Sequence, residues 1–325
     1  MDNKLKKLLP VAFAAVSVAA MAQVANVYNN YNAMLNPRGS VFSTVSIPDV
    51  PQRVIFAGDT VSFDRLDMLE RLDREMSSIV YGQTTTLLCF KRANKYFPLI
   101  APVLKKNNVP LDMLYLAVTE SMMDPTIKSS AGAVGLWQLL APTARQYGLE
   151  VNDDVDERCD PVKSTEAACK YLKAARSNYG NWATACASYN AGMGRINGEL
   201  SKQQQSTSFD LYLVSETSRY VFRIIAYKLI MENPKRYGYS MRAAQLYQPV
   251  EYRTVEVTTS VPSWITWAKE QGITYAQLRE ANPWIRSTKL TNVKGKTYTV
   301  NIPKEGELYL SKHKIKAYNK NWVTD

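Results

Sequence analysis

The sequence predicts a mainly α protein: a helical domain over residues 81–244, followed by a small β-α-α-β module over 245–304. Three observations predict it. From Asp64 to about residue 240, apolar residues recur at helical spacing and no convincing strand appears. At about Gln245 the chain changes character, and residues 251–257 and 297–302 alternate polar with apolar as strands do. A hydrophobic content of 46% with only 14 glycines describes a well-cored globular chain, which at 325 residues has room for two or three domains.

Taken in order, residues 1–22 read as a cleavable signal peptide. Lys4, Lys6 and Lys7 precede an apolar stretch, and Ala20-Met21-Ala22 is the small-x-small pattern at which a signal peptidase cuts, near Ala22-Gln23. That stretch is too short to span a bilayer, and no cysteine nearby offers a lipid anchor. Residues 23–80 read as an extended arm, in which Pro37, Pro48 and Pro51 break regular structure, and a leading helix carrying Leu66, Leu69, Leu72 and Met76. Helices follow at 86–95, 97–105, 110–123, 143–147, 164–179, 182–189 and 217–232. Between the two late strands, 263–270 and 275–281 read as short helices. A lysine-rich tail, 305–325, closes the chain.

Composition then narrows the chemistry. The net charge of +11 falls when three lysines and one aspartate leave with the signal peptide. It is too diffuse for a nucleic-acid reader, and outside the cytoplasm the anionic partners are wall carboxylates and lipid head groups. Cys89, Cys159, Cys169 and Cys186 match no metal or redox spacing. An even count in an exported chain permits disulfides, Cys159 with Cys169 first among them, and the sequence leaves the pairing open. The chain has one histidine, His313, read as a solvated tail residue. Ser-His-Asp triads, Cys-His pairs and histidine-ligated zinc all need a histidine in a structured site, so carboxylate chemistry remains.

The carboxylate that stands out is Glu120. The helix from Pro110 is apolar on nearly every side, which marks it as buried, and Glu120 lies in its last turn before Pro125. An apolar wall and the negative end of a helix dipole both disfavour its charged form and raise its pKa, as a general acid requires. A small-residue segment ending in Gly135-Leu136-Trp137-Gln138 follows, where Trp137 offers a flat face for a sugar and Gln138 a donor and an acceptor. Tyr189-Asn190-Ala191-Gly192 repeats the combination of aromatic and amide among small residues.

In this order, Glu120-Ser121, Ser129, Gly135-Leu136-Trp137-Gln138, Tyr189-Asn190-Ala191-Gly192 and the segment Glu216-Thr217-Ser218-Arg219-Tyr220-Val221 resemble the signature of the soluble-type (SLT) lytic murein transglycosylases. Asp156-Glu157-Arg158-Cys159-Asp160-Pro161 and Ala167-Ala168-Cys169-Lys170-Tyr171-Leu172 narrow the resemblance to the membrane-bound lytic murein transglycosylase D branch. The resemblance covers about 85–240. It implies a lysozyme-like helical domain that cleaves the β-1,4 bond between N-acetylmuramic acid and N-acetylglucosamine in peptidoglycan, leaving a 1,6-anhydro end. It implies Glu120 as the sole acid and base, Ser129 orienting it, and Tyr220 beside it. Ser121, Gly135, Leu136, Trp137, Gln138, Tyr189 and Asn190 would form the sugar site, with neither metal nor cofactor.

Position 188 is serine where the family usually has alanine, and Asp124 is read as structural. The 245–304 unit resembles a LysM module, a binder of N-acetylglucosamine chains, through Trp267-Ala268, Asn282-Pro283 and Gly295 to Pro303. It lacks the usual Gly-Asp after the first strand, which favours the module fold over intact sugar binding. The expected protein is exported, in the periplasm or associated with the outer membrane or wall, with glycan strands as partner and no nucleic acid. Two alternatives stay open: a goose-lysozyme-like hydrolase with the same Glu120, and a non-catalytic wall-binding scaffold.

Overall fold

The computed structural model describes residues 47–325, so the expected signal peptide and the arm over 23–46 lie outside the described residues. The remainder of the arm is not extended. Strands β1 (Arg53–Phe56) and β2 (Asp59–Ser62) form an antiparallel hairpin. Its two turn residues, Ala57 and Gly58, both have positive φ, as a two-residue hairpin turn demands. Val54, Phe56, Val61 and Phe63 point into the core, and Asp112 accepts the Ala57 N–H at 2.6 Å. Pro48 and Pro51 merely precede the hairpin. Ala-Gly is a weak turn signal, which hid it.

Helix α1 (Leu66–Tyr81) leads into α2 (Gln83–Lys106), one continuous helix where two were expected. Pro98 and Pro102 each delete an intrahelical hydrogen bond, but the buried stripe of Cys89, Phe90, Phe97, Ile100 and Leu104 holds the helix through them. Then come α3 (Met113–Ser121), α4 (Ala141–Gln146), α5 (Pro161–Tyr179), α6 (Trp182–Ala191), α7 (Met193–Lys202) and α8 (Ser215–Glu232). Helix α7 was not expected, because Ile196 is its one fully buried residue and Gly194 and Gly198 dilute its pattern. Helix α8 is the axis of the domain, packing on α1, α3 and α6.

Strands β3 (Tyr252–Val257) and β4 (Tyr298–Pro303) pair antiparallel, with Val255 opposite Val300. Between them lie α9 (Trp264–Glu270) and α10 (Tyr275–Ala281). The module has its own core around Trp264, Leu278, Trp284, Ile285, Val300 and Ile302, and Val155 of the helical domain inserts into it. Backbone bonds fix the junction: Asp156 N–H to Trp284 O and Arg286 N–H to Asp154 O, both 2.9 Å. Lys296 Nζ adds contacts to Glu150 (2.6 Å) and Glu157 (3.0 Å).

The closing segment returns to the helical domain. Asn94 on α2 donates to Lys316 O (3.0 Å) and accepts from Tyr318 N–H (2.7 Å). Trp322 is buried against Phe90 and Phe97, and its indole N–H donates to Met231 O at 2.6 Å. His313 is not solvated: its side chain is 8% exposed, with Nδ1 3.2 Å from Glu307 Oε2. All four cysteines are free and buried, and Cys159 is not bridged to Cys169.

Candidate active site

Glu120 occupies the last turn of α3, as its sequence context required, on a helix whose Met113, Leu114, Leu116, Ala117 and Val118 are all buried. The helix stops through Met122 (φ 52°) and Met123 (φ 60°), two successive left-handed residues that cost roughly 1–2 kcal/mol each. Met123 is fully buried, so packing holds this strained exit in place beside the carboxylate.

Tyr220 of α8 donates its hydroxyl to Glu120 Oε1. No cation reaches hydrogen-bonding distance of Glu120 among the described residues. Burial pushes the Glu120 carboxyl up to about 7; the Tyr220 hydroxyl and the more distant Arg223 pull it down, and Glu216 adds to the rise. The Tyr220 phenol is itself held well above its usual range, by burial first and then by the carboxylate next to it. The pair therefore shares one readily moved proton, that of Glu120.

The loop from Lys128 to Leu139 closes against this helix end. Ser121, 1% exposed, donates its hydroxyl to Leu136 O at 2.9 Å. Gly135 (φ 86°) lies so close to the Arg158 backbone that a Cβ would sit 2.0 Å from its carbonyl oxygen, so no other residue fits. Leu136 and Trp137 are fully buried. Trp137 therefore offers no face to a sugar, contrary to expectation: its indole donates to Thr165 Oγ1 (2.7 Å), and its carbonyl accepts the Tyr189 hydroxyl (2.7 Å). Gln138 spends its amide N–H groups on Ile127 O (3.1 Å) and Gly135 O (2.9 Å), leaving its oxygen as the group a ligand could use.

Ser129 does not hydrogen-bond Glu120. Its hydroxyl oxygen accepts Ala133 N–H at 3.1 Å, stapling its own loop. Asn190 is aimed by Thr217, whose hydroxyl donates to Asn190 Oδ1 at 2.9 Å, so the amide N–H groups remain to donate. Thr217 lies three residues before Tyr220 and thus on the same face of α8. Beyond it opens a hollow of about 530 Å³, lined by Arg195, Glu199, Lys202 and Tyr212. The Tyr212 ring is 89% exposed, while Gln203 clamps its backbone from both sides (2.8 and 3.0 Å). Asp124 is structural as read: one oxygen pairs with Arg92 (3.1 Å), and the other caps Thr126.

Sequence reasoning missed Arg158. This buried guanidinium is paired with both oxygens of Asp156 (2.8 and 2.7 Å) and donates to Gly132 O (3.0 Å) and Leu139 O (3.1 Å). It pins Gly132 and Leu139 of the 128–139 loop to the segment on which the C-terminal module docks. The sequence placed it only inside the motif Asp156-Glu157-Arg158-Cys159-Asp160-Pro161, with no role of its own.

Residues 98–211 match the transglycosylase SLT domain, and residues 253–306 match the soluble lytic transglycosylase C-terminal LysM-like domain. The chain therefore carries an SLT domain followed by an SLT-type LysM-like domain. It is homologous to membrane-bound lytic murein transglycosylase D of Escherichia coli K12, with 32% identity over 228 residues, 66% of this chain and 47% of that protein. The chain thus spans about half the length of that relative. Over 121 residues it is also 35% identical to the peptidoglycan transglycosylase gp16 of Escherichia phage T7, covering 36% of this chain and 9% of that one. Among solved structures, the 70 kDa soluble lytic transglycosylase of Escherichia coli aligns at 22% identity with a TM-score of 0.39, over 55% of this chain and 31% of that one.

Proposed function

We propose that the protein is a peptidoglycan lytic transglycosylase that cleaves the β-1,4 bond after N-acetylmuramic acid without consuming water, with Glu120 as its one acid and base. The observation that carries this reading is the Glu120–Tyr220 pair: a carboxyl raised to about 7 by burial, partnered by a neutral phenol and not by a cation. Such a group is protonated often enough to donate, and basic enough afterwards to take a proton back. In the first half, Glu120 protonates the bridging oxygen as the bond to C1 breaks. In the second, its carboxylate, steadied by the Tyr220 hydroxyl, removes the proton of the muramoyl C6 hydroxyl, whose oxygen closes onto C1.

The Gln138 oxygen and the Asn190 amide N–H groups supply polar contacts to the sugars. Tyr212 supplies the aromatic platform that Trp137 cannot, from a backbone already fixed. A hydrolase would need a second carboxylate to activate water. Asp124 is consumed by Arg92 and Thr126, which weighs against that alternative. Action on wall strands places the protein in the cell envelope, consistent with its membrane-bound relative.

Mass spectrometry of fragments released from purified peptidoglycan by wild type and by Glu120→Gln tests the reading. Anhydro-muramoyl ends from the wild type, reduced at least about 1,000-fold in rate by the substitution, are expected. Reducing ends would overturn it in favour of hydrolysis and direct attention to Glu216, the carboxylate whose charge reaches Glu120. No release by folded wild type would leave a binding scaffold.

A further inference from the structure

Between the helical domain and the C-terminal module lies a cleft of about 390 Å³, walled by Arg92 and Lys95 of α2, the segment from Met123 to Thr126, and Arg279, Glu280 and Arg286 of the module. Four cations face two carboxylates there. Asp124 is paired with Arg92, while Lys95, Arg279 and Arg286 have no ion-pair partner among the described residues. Arg279 donates one N–H to the Tyr275 hydroxyl (2.9 Å), but its Nε is buried with no acceptor. That Nε is out of a ligand's reach, but Arg279 Nη2 has no hydrogen-bond partner among the described residues, and Arg279 lines the cleft with Lys95 and Arg286, so the wall keeps unspent donors for an acceptor that arrives from outside. The cleft also begins where the catalytic helix ends: three residues, ~10 Å at full extension, separate Glu120 from Met123.

We infer that this cleft binds the carboxylates of the peptide stems carried by the muramoyl residues, so that the module junction recognises peptide while the SLT site holds sugar. The inference rests on the transglycosylase reading for its choice of anion. A stem hangs from the same muramoyl ring whose C1 reacts, and a few residues of peptide cover the distance to the cleft. Arg279 and Arg286 present forked donors suited to a carboxylate, and Lys95 adds a third charge. The positive balance of the chain thus has a local use.

Equilibrium binding of the full chain carrying Glu120→Gln, which keeps strands intact, tests this with peptide-bearing strands, strands stripped of their peptides, and strands whose stem carboxylates are amidated. Peptide-bearing strands should bind about tenfold tighter than the other two, and Arg279→Gln with Arg286→Gln should erase that ratio. Removing equal charge outside the cleft, through Lys269→Gln with Lys289→Gln, should preserve it. Equal binding of native and amidated strands overturns the inference even if the arginine variant misfolds. So does a ratio that survives the arginine changes or collapses equally with the lysine changes. Because the readout is binding, a failure to find anhydro products overturns the proposed function and leaves this result interpretable.

Discussion

Helix α8 has a partly or fully buried glutamate on each of two sides, and the two are treated in opposite ways. Toward α1, Glu75 is 1% exposed and receives Arg219 Nε at 2.6 Å and Arg223 Nε at 3.1 Å. Toward α3, Glu120 receives only the Tyr220 hydroxyl. Arg219 and Tyr220 are adjacent in sequence, so the helix turns one face of cations to one carboxylate and one neutral donor to the other. The first carboxylate is bracketed by two guanidiniums and ties α1 to α8. The second is left able to change its charge. What a buried carboxylate does is decided by its partner and not by burial alone.

The sharpest way to separate the two is the pH dependence of stability. The unfolded Glu120 titrates at 4.5 and the folded one at about 7, so between those values the folded state holds the extra proton. Stability contributed by this group is complete below pH 4.5 and is lost as pH rises through 7, by up to about 3 kcal/mol. Glu120→Gln should lack that loss, and urea titrations of both proteins at pH 4 and pH 8 measure it; parallel pH dependence would break the comparison. Next in size is Glu75→Gln, which removes the partner of the more exposed Arg74 and the carboxylate shared across the helices by Arg219 and Arg223, the latter keeping Glu216. Because Arg219 and Arg223 are 22–30% exposed, a destabilisation of about 2–3 kcal/mol is expected, at the low end of or below the range for fully buried pairs.

Tyr220→Phe should lower turnover about tenfold, since the carboxylate form of Glu120 loses its donor. The same loss raises the Glu120 pKa further, so the alkaline limb of the pH–rate profile should move to higher pH. A purely structural tyrosine would lower the rate without moving that limb. The smallest effect on catalysis is expected of Trp137→Phe. It should leave KM for glycan strands unchanged, although losing the bond to Thr165 and part of a fully buried ring costs about 2 kcal/mol of stability. Tyr212→Ala should raise KM, and Tyr212→Phe should restore it. A reversal of those two results would return the sugar platform to Trp137.

The setting of Glu120 was legible from local signs, an apolar helix, a carboxylate in the last turn and a proline just beyond, while its candidacy rested on the motifs around it. The helices and the β-α-α-β order were legible for the same reason, since periodicity is written within single segments. What the sequence could not say was which side of a residue faces out. Trp137 in a glycine-rich segment reads the same whether its ring lies on the surface or under it, and only the Thr165 and Tyr189 contacts decide. Glu75 and Asn94 were invisible because each acts on partners far along the chain, up to 224 positions for Asn94 and Tyr318, and the part of Arg158 that was hidden is its reach to Gly132 and Leu139. The hairpin at 53–62 was hidden by an Ala-Gly turn, and α2 was split by prolines that its buried face tolerates.

The seat of Trp322 has a consequence for how the molecule assembles. The helical domain is discontinuous: residues 90, 97, 231 and 322 meet in one interior, and the whole C-terminal module is spliced between the last two. Its hydrophobic interior stays open on that side until residue 322 has emerged from the ribosome, long after α8 is complete. A chain arranged this way delays its own closure, and such long-range contacts slow folding in general.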